Sequence, residues 1–187
     1  METSTIVIKH YYTGKILFSH TCEGNSQRIT VEQAVSQDVS LRYADLSGFD
    51  LKEANLFGAD LYNAFLREAN LWGADLRDTD CRHATFEGAV CDSAYFNNSL
   101  LWVTSFLRAS CRGTSFIGCA ADNSFFREAN LEDADFANTS LRGADMRGAT
   151  TFRASFVDSW TKDVLWGEVS GAPVFIASTA ANNLGSR

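Results

Sequence analysis

Counting in fives from Leu41, the chain places an apolar side chain at Leu46, Leu51, Leu56, Leu61, Leu66, Leu71 and Leu76. The count continues through Cys81, Phe86, Cys91, Phe96, Leu101, Phe106, Cys111, Phe116 and Ala121 to Phe156. Among these 24 positions only Thr151 is polar, and no insertion breaks the count. A second column, two residues earlier, is small. It runs through Ala44, Ala54, Ala59, Ala64, Ala69 and Ala74, is later mixed with Thr79, Ser99, Thr104 and Cys119, and has Phe49 as its one large exception. A helix repeats every 3.6 residues and a flat strand every 2, so a strict five belongs to neither. Two columns in phase over this length define a repeat array.

The units Ala69-Asn70-Leu71-Trp72-Gly73 and Ala74-Asp75-Leu76-Arg77-Asp78 resemble those of the pentapeptide repeat family, and the resemblance covers residues 39–158. It implies an all-β fold: a right-handed, four-sided parallel β-helix with one pentapeptide per side and 20 residues per coil. The central residue of each unit would point inward and the small one would pack near a corner. Residues 39–158 then make about six coils, on the order of 29 Å of rod at the spacing of paired strands.

The inward column tests the 20-residue coil independently. From Cys81 onward it alternates small or medium with large. Residues 20 apart stack, so Phe86, Phe106 and Phe126 fall on one side and Phe96, Phe116, Phe136 and Phe156 on the opposite side. Large side chains on one opposed pair of sides and smaller ones on the other would fill a narrow core without voids or clashes.

Stacked coils leave backbone edges at both ends. Residues 5–21 read as two β-rich runs about Thr13-Gly14, a hairpin with a two-residue turn that would set His10 against Leu17 and His20 against Val7. Residues 30–38 open with Thr30 and Gln33, a capping-box pattern for a short helix. Residues 1–38 are therefore expected to form an N-terminal hairpin-plus-helix cap. Beyond 158 the period is lost, and 159–187 is expected to be a C-terminal cap or tail, or a contact with a second molecule, ending in a disordered STAANNLGSR.

Composition narrows the function. A net charge of -7 argues against direct nucleic-acid binding. No apolar run reaches the length of a membrane span, and METSTIVIKH lacks a secretory pattern, so the cytoplasm is the expected location. The five cysteines are odd in number with no CxxC pair, which fits neither a disulfide framework nor zinc; Cys91 and Cys111 would stack as thiols. No enzyme motif is present, and the three histidines are too scattered for a metal site. The reading is of a non-enzyme without cofactor or metal.

Some members of the resembled family mimic DNA and bind type II topoisomerases, which makes gyrase a candidate partner and Asp45, Asp60, Asp75, Asp80, Asp135 and Asp145 candidate mimic acids. Together with Asp50 these occupy the residue just before the inward one, where an Asp or Asn side chain can bond nearby backbone. Elsewhere the outward positions of 39–158 carry 10 acids against 11 bases, close to neutral. The second candidate is an apolar patch of Tyr62, Arg82, Tyr95, Leu100, Trp102, Leu107, Ile117 and Phe125, with Arg82 between Tyr62 and Trp102 in cation–π geometry. The leading expectation is a non-catalytic scaffold that contacts an unidentified protein partner or a second copy through this patch. The alternative is a DNA-mimicking binder of gyrase.

Overall fold

The computed structural model describes residues 2–171. The VFIA run at 174–177 and the final STAANNLGSR lie outside them.

From Asp45 onward the chain winds as a ladder of single parallel bridges, each joining residues 20 apart, from Asp45–Phe65 through Thr85–Ser105 to Thr150–Ser170. Each pentapeptide is tied to the next coil by main-chain bonds. Leu46 N–H donates to the Phe65 carbonyl at 2.8 Å, Gly48 N–H to Arg67 at 2.8 Å, and Phe65 N–H back to Ala44 at 2.9 Å. The chain turns a corner when the small residue donates to the preceding inward carbonyl, as Ala54 does to Leu51 at 3.0 Å. The second residue after the inward one carries the turn in a left-handed conformation, as at Gly73 (φ 64°) and Asn63 (φ 56°). Four such units close a coil, and the rod is a four-sided parallel β-helix.

Both sequence columns are buried. The inward leucines, phenylalanines and cysteines and the corner alanines make one continuous core, in which each Leu or Phe contributes roughly 1.5–3 kcal/mol. Phe106 stacks on Phe86 and on Phe126 with centroids 4.9 Å apart. It meets Phe96 and Phe116 from the opposite side edge-on at 5.5 Å. Several corner hydroxyls donate to an inward carbonyl of the previous coil, as Thr104 to Cys81 at 2.7 Å and Thr114 to Cys91 at 2.7 Å, while Thr79 and Ser124 donate to Leu76 and Ala121 of their own coil. Phe49 is too large for a corner and sits half-buried against the core. All five cysteines are free thiols. Burial pushes Cys81 and Cys119 up to about 12, and the Cys111 thiol together with burial pushes Cys91 well above its ordinary value, so these are packing groups rather than nucleophiles.

Three boundaries differ from the sequence expectation. Strands β1 (Thr3–His10) and β2 (Ile16–Glu23) do form a hairpin. Its register places His20 opposite Ile6 rather than Val7, and the expected His10–Leu17 pair is not formed: Lys9 opposite Ile16 is the last pair. The cause is a longer loop, in which His10 N–H donates to Lys15 and Gly14 N–H to His10, partly offset by a bulge at Leu17 of β2, opposite Ile8 and Lys9. Helix α1 spans Gln27–Ser36, three residues earlier than expected, because the Ser26 hydroxyl accepts from Ile29 N–H and caps it; Thr30 is instead buried and donates to Asn25. The array does not stop at 158. Bridges Ser140–Trp160, Asp145–Leu165 and Thr150–Ser170 carry it on, with Trp166 edge-on to Phe156 at 5.3 Å. A backbone ladder needs no particular side chain, so it outruns the repeat that the sequence displays.

The cap joins the rod through β1, which pairs antiparallel with β3 (Ala44–Asp45), the first rung of the ladder. Sheet order is therefore β2-β1-β3, continued by the coils.

Candidate interaction surface

Outward residues stand on four sides, named here by what lies beneath: first over Leu61, Cys81 and Leu101, second over Leu66, Phe86 and Phe106, third over Leu71, Cys91 and Cys111, fourth over Leu76, Phe96 and Phe116. The eight residues of the expected patch do not share one side. Tyr62, Arg82, Leu100 and Trp102 lie on the first, Leu107 and Phe125 on the second, Tyr95 and Ile117 on the fourth. A step of five residues carries the chain around a corner, so neighbours in sequence face different ways. Only residues about 20 apart stack.

The first side nonetheless stands out. Its successive coils present Asp60, Tyr62 and Asn63; then Asp80, Arg82 and His83; then Leu100, Trp102 and Val103. In the third of these every outward residue is apolar, with Trp102 44% exposed. Two features of that unit depart from what the fold favours. Asp60 and Asp80 accept from the backbone N–H two residues on, Tyr62 at 3.4 Å and Arg82 at 3.2 Å, whereas Leu100 offers Trp102 N–H no such acceptor. Val103 holds φ at 59°, and among the described residues no other β-branched side chain takes the left-handed conformation. Glycine and asparagine fill many equivalent corners, because a branched Cβ is strained there.

Sequence reasoning missed the other end of this surface. The hairpin loop leans onto the rod. Tyr11 stacks on Phe65 at 3.7 Å and His10 on Tyr43 at 5.2 Å, while Tyr43 meets Tyr62 edge-on at 6.2 Å and Tyr62 meets His83 at 5.4 Å. Arg42 lies over Tyr62 at 4.1 Å. An aromatic ridge thus runs from the loop, where Tyr12 is 70% exposed, along the first side toward Trp102. The Tyr11-Tyr12 pair flanking the turn was the available signal, but the corner it leans on is set by β1–β3 pairing. The expected Tyr62–Arg82–Trp102 sandwich is not formed. Arg82 lies 5.5 Å from the Tyr62 ring while its Nε and Nη2 turn to Asp80 at 2.8 and 2.6 Å.

The candidate mimic acids are engaged locally. Asp45, Asp75, Asp135 and Asp145 each accept the backbone N–H two residues on, at 3.0–3.2 Å. Arg77 and Arg147 add paired bonds to Asp75 and Asp145. Asp60 takes the Ser40 hydroxyl at 2.7 Å and Arg42 at 3.7 Å. Hydrogen bonds from Arg77 and Arg147 hold Asp75 and Asp145 below the usual carboxylate range; partial burial works the other way at Asp80, yet Arg82 still holds it below. Elsewhere ion pairs link coil to coil, as Arg108–Glu128 at 2.8 Å and Arg112–Glu132 at 3.0 Å. Among the described residues no cluster of side chains is arranged to hold a metal, and no helix is long and apolar enough to cross a membrane.

A repeating five-residue unit, a 20-residue coil and a Leu/Phe core define a class of right-handed quadrilateral β-helices. The chain belongs to the pentapeptide repeat family: the family profile, described as pentapeptide repeats, matches in eight copies over residues 37–73, 66–102 and 109–148. Members are generally non-enzymatic structural or interaction modules. Among solved structures the chain is similar to HetL, a pentapeptide repeat protein involved in heterocyst differentiation regulation from the cyanobacterium Nostoc sp. strain PCC 7120, at 23% identity over 67% of this chain and 69% of that one (TM-score 0.37). It is also similar to a trypsin-treated variant of QnrB1, a plasmid-mediated fluoroquinolone resistance protein, at 16% identity over 67% and 77% (TM-score 0.45). A third is a pentapeptide repeat protein from the Arabidopsis thaliana thylakoid lumen, at 23% identity over 48% and 63% (TM-score 0.32). No curated protein sequence matches the chain.

Proposed function

We propose that the protein is a rigid, non-catalytic rod in the cytoplasm that holds a protein partner against its first side, centred on Leu100, Trp102 and Val103 and flanked by the aromatic ridge. One observation carries this reading. A single unit gives up both the side-chain cap and the unstrained corner that the fold favours, and gains three exposed apolar residues in their place. Local rules broken together at an exposed place mark a surface kept for contact. The five free thiols fit a reducing compartment.

The gyrase-directed alternative draws less support, because Asp60, Asp75, Asp80 and Asp145 are already bound by arginine. Binding through Trp102 is weakly salt-dependent, and binding through carboxylates is strongly so. The test is affinity capture from the source cytosol with wild type and Trp102→Ala, at low and high salt, beside a gyrase supercoiling assay. A partner that stays at high salt and is lost with Trp102→Ala supports the reading. A partner released by salt and indifferent to Trp102→Ala, or inhibition of supercoiling, overturns it in favour of the acids.

A further inference from the structure

Ion pairs take up almost every arginine of the array. Of the ten from Arg42 to Arg153, nine meet a carboxylate at 2.5–3.9 Å. The tenth, Arg142, is exposed on the first side, and among the described residues its guanidinium meets no carboxylate. Lys162, exposed one coil further along the same side, meets none either. Main-chain bonds set these two in line with the apolar unit. Val103 N–H donates to the Asp122 carbonyl at 3.2 Å, Asn123 N–H to Arg142 at 2.8 Å and Gly143 N–H to Lys162 at 3.0 Å, so Trp102, Asp122, Arg142 and Lys162 stand on successive coils. The Asp122 carboxylate is occupied, since it accepts the Ser140 hydroxyl and the Arg142 N–H. The backbone N–H groups of Trp102 and Asp122 meet no acceptor among the described residues, whereas carboxylates cap those of Tyr62, Arg82 and Arg142 on the same side. From Trp102 to Lys162 the first side is therefore a run of free donors, two amides and two cations, that starts at an exposed apolar unit.

We propose that the partner reaches the first side as an extended acidic segment of a protein chain, an assignment that rests on that side being the contact surface. An apolar residue of the segment sits on Leu100, Trp102 and Val103, and two carboxylates lie over Arg142 and Lys162. Spacing supports this. Arg142 and Lys162 stand two and three coils beyond Trp102, about 10 and 14 Å at the separation of paired strands. An extended chain advances about 3.3 Å per residue, so acids three and four places after the apolar residue fall at about 10 and 13 Å. Two cations on a chain of net charge -7 suit a short acidic segment rather than nucleic acid, whose many phosphates the rest of the surface repels. The apolar residue supplies most of the affinity, while the two exposed ion pairs set direction and register.

The experiment is selection of phage-displayed random peptides of about a dozen residues on wild type, Trp102→Ala and the double charge reversal Arg142→Glu, Lys162→Glu, with a melting curve for each. The neutral double variant Arg142→Gln, Lys162→Gln repeats the test without adding charge beside Asp122. Wild type should enrich peptides with Asp or Glu three and four places after an apolar residue. The reversed variant should enrich Lys or Arg at those places, and Trp102→Ala should enrich neither. In fluorescence anisotropy the best acidic peptide should bind the reversed variant more weakly than wild type by about tenfold or more, with the neutral variant between them. Peptides that need Trp102 but carry no acids, or that bind the reversed variant as well as wild type, overturn the acidic segment and leave the first side as the contact surface. Enrichment indifferent to every variant overturns both. No enrichment on wild type, or a wild-type dimer in light scattering that Trp102→Ala dissolves, also overturns the segment; the dimer would put a second copy in its place.

Discussion

The coils from Leu41 to Leu76 and those from Phe86 to Phe156 fill one cross-section in two ways. In the first stretch every inward residue is leucine and the corners are nearly all alanine. In the second, phenylalanines from two opposite sides stack along the rod and interlock edge-on across it, while Leu, Cys and Ala line the other two. The backbone ladder is the same throughout. What the ladder fixes is the total volume of a coil, not its distribution among the sides. Redistribution has a consequence: a phenylalanine in the second stretch has small neighbours that cannot expand to cover its loss.

The largest expected effect follows from this. Phe106→Ala removes a ring held by four others and should cost about 3–5 kcal/mol in denaturant unfolding. Leu61→Ala should fall lower, in the range of about 2–5 kcal/mol for leucine truncations. If Leu61→Ala proves the costlier, the two stretches are not packed by different rules.

A double-mutant cycle sharpens the same point with smaller numbers. Phe106 and Cys111 are consecutive inward residues of one coil, both fully buried. Phe106→Leu leaves a void, and Cys111→Leu overpacks by about 1–3 kcal/mol. Together they restore an all-leucine arrangement on those two sides, so the double variant should be less destabilised than the sum by about 0.5–3 kcal/mol. Additive costs would mean that the sides are filled independently.

Much of this was legible in the sequence, for a physical reason. A period of five, the opposition of Phe86 to Phe96, and the turn-capping role of Asp75 and Asp145 all follow from one residue repeating one environment. Where environments occur once, the sequence was silent. The one-residue shift of the hairpin is what remains of a longer loop after the bulged residue Leu17 of β2 takes one residue back, and no residue type announces either. Residues Thr161 and Trp166 continue the winding without resembling the repeat, because main-chain bonds such as Leu141 N–H to Trp160 suffice. The patch was misplaced because linear proximity of Tyr95, Leu100 and Leu107 does not survive a corner every five residues.

A second contrast, between coils capped by carboxylates and the unit at Leu100, predicts a response to acid. Asp75 and Asp145 have folded pKa values depressed by Arg77 and Arg147. A depressed carboxylate stabilises the fold above its unfolded pKa of about 3.9, and that contribution fades as the pH falls through the lower folded value. Backbone amides of Arg77 and Arg147 should therefore lose hydrogen-exchange protection below about pH 4, while that of Trp102, which has no carboxylate partner, stays unchanged. Asp145→Asn keeps an amide oxygen for the Arg147 N–H and should remove the acid response at that site alone. Equal responses at Arg147 and Trp102 would refute the contrast.

The smallest effect tests why the Leu100 unit breaks the local rules. Val103 is strained at φ 59°, where asparagine or glycine sits comfortably. Val103→Asn should therefore raise stability, by about 0.4–1 kcal/mol, the scale of a strain-relieving turn substitution. Trp102→Glu, an exposed change with no buried partner, should stay within about 0.5 kcal/mol of wild type. Stability and contact then run in opposite directions at this one unit: a variant that folds better should hold a partner less well. If Val103→Asn instead lowers the melting temperature, the valine is packing against the rod itself, and the apolar unit on the first side is part of the fold rather than a surface kept for contact.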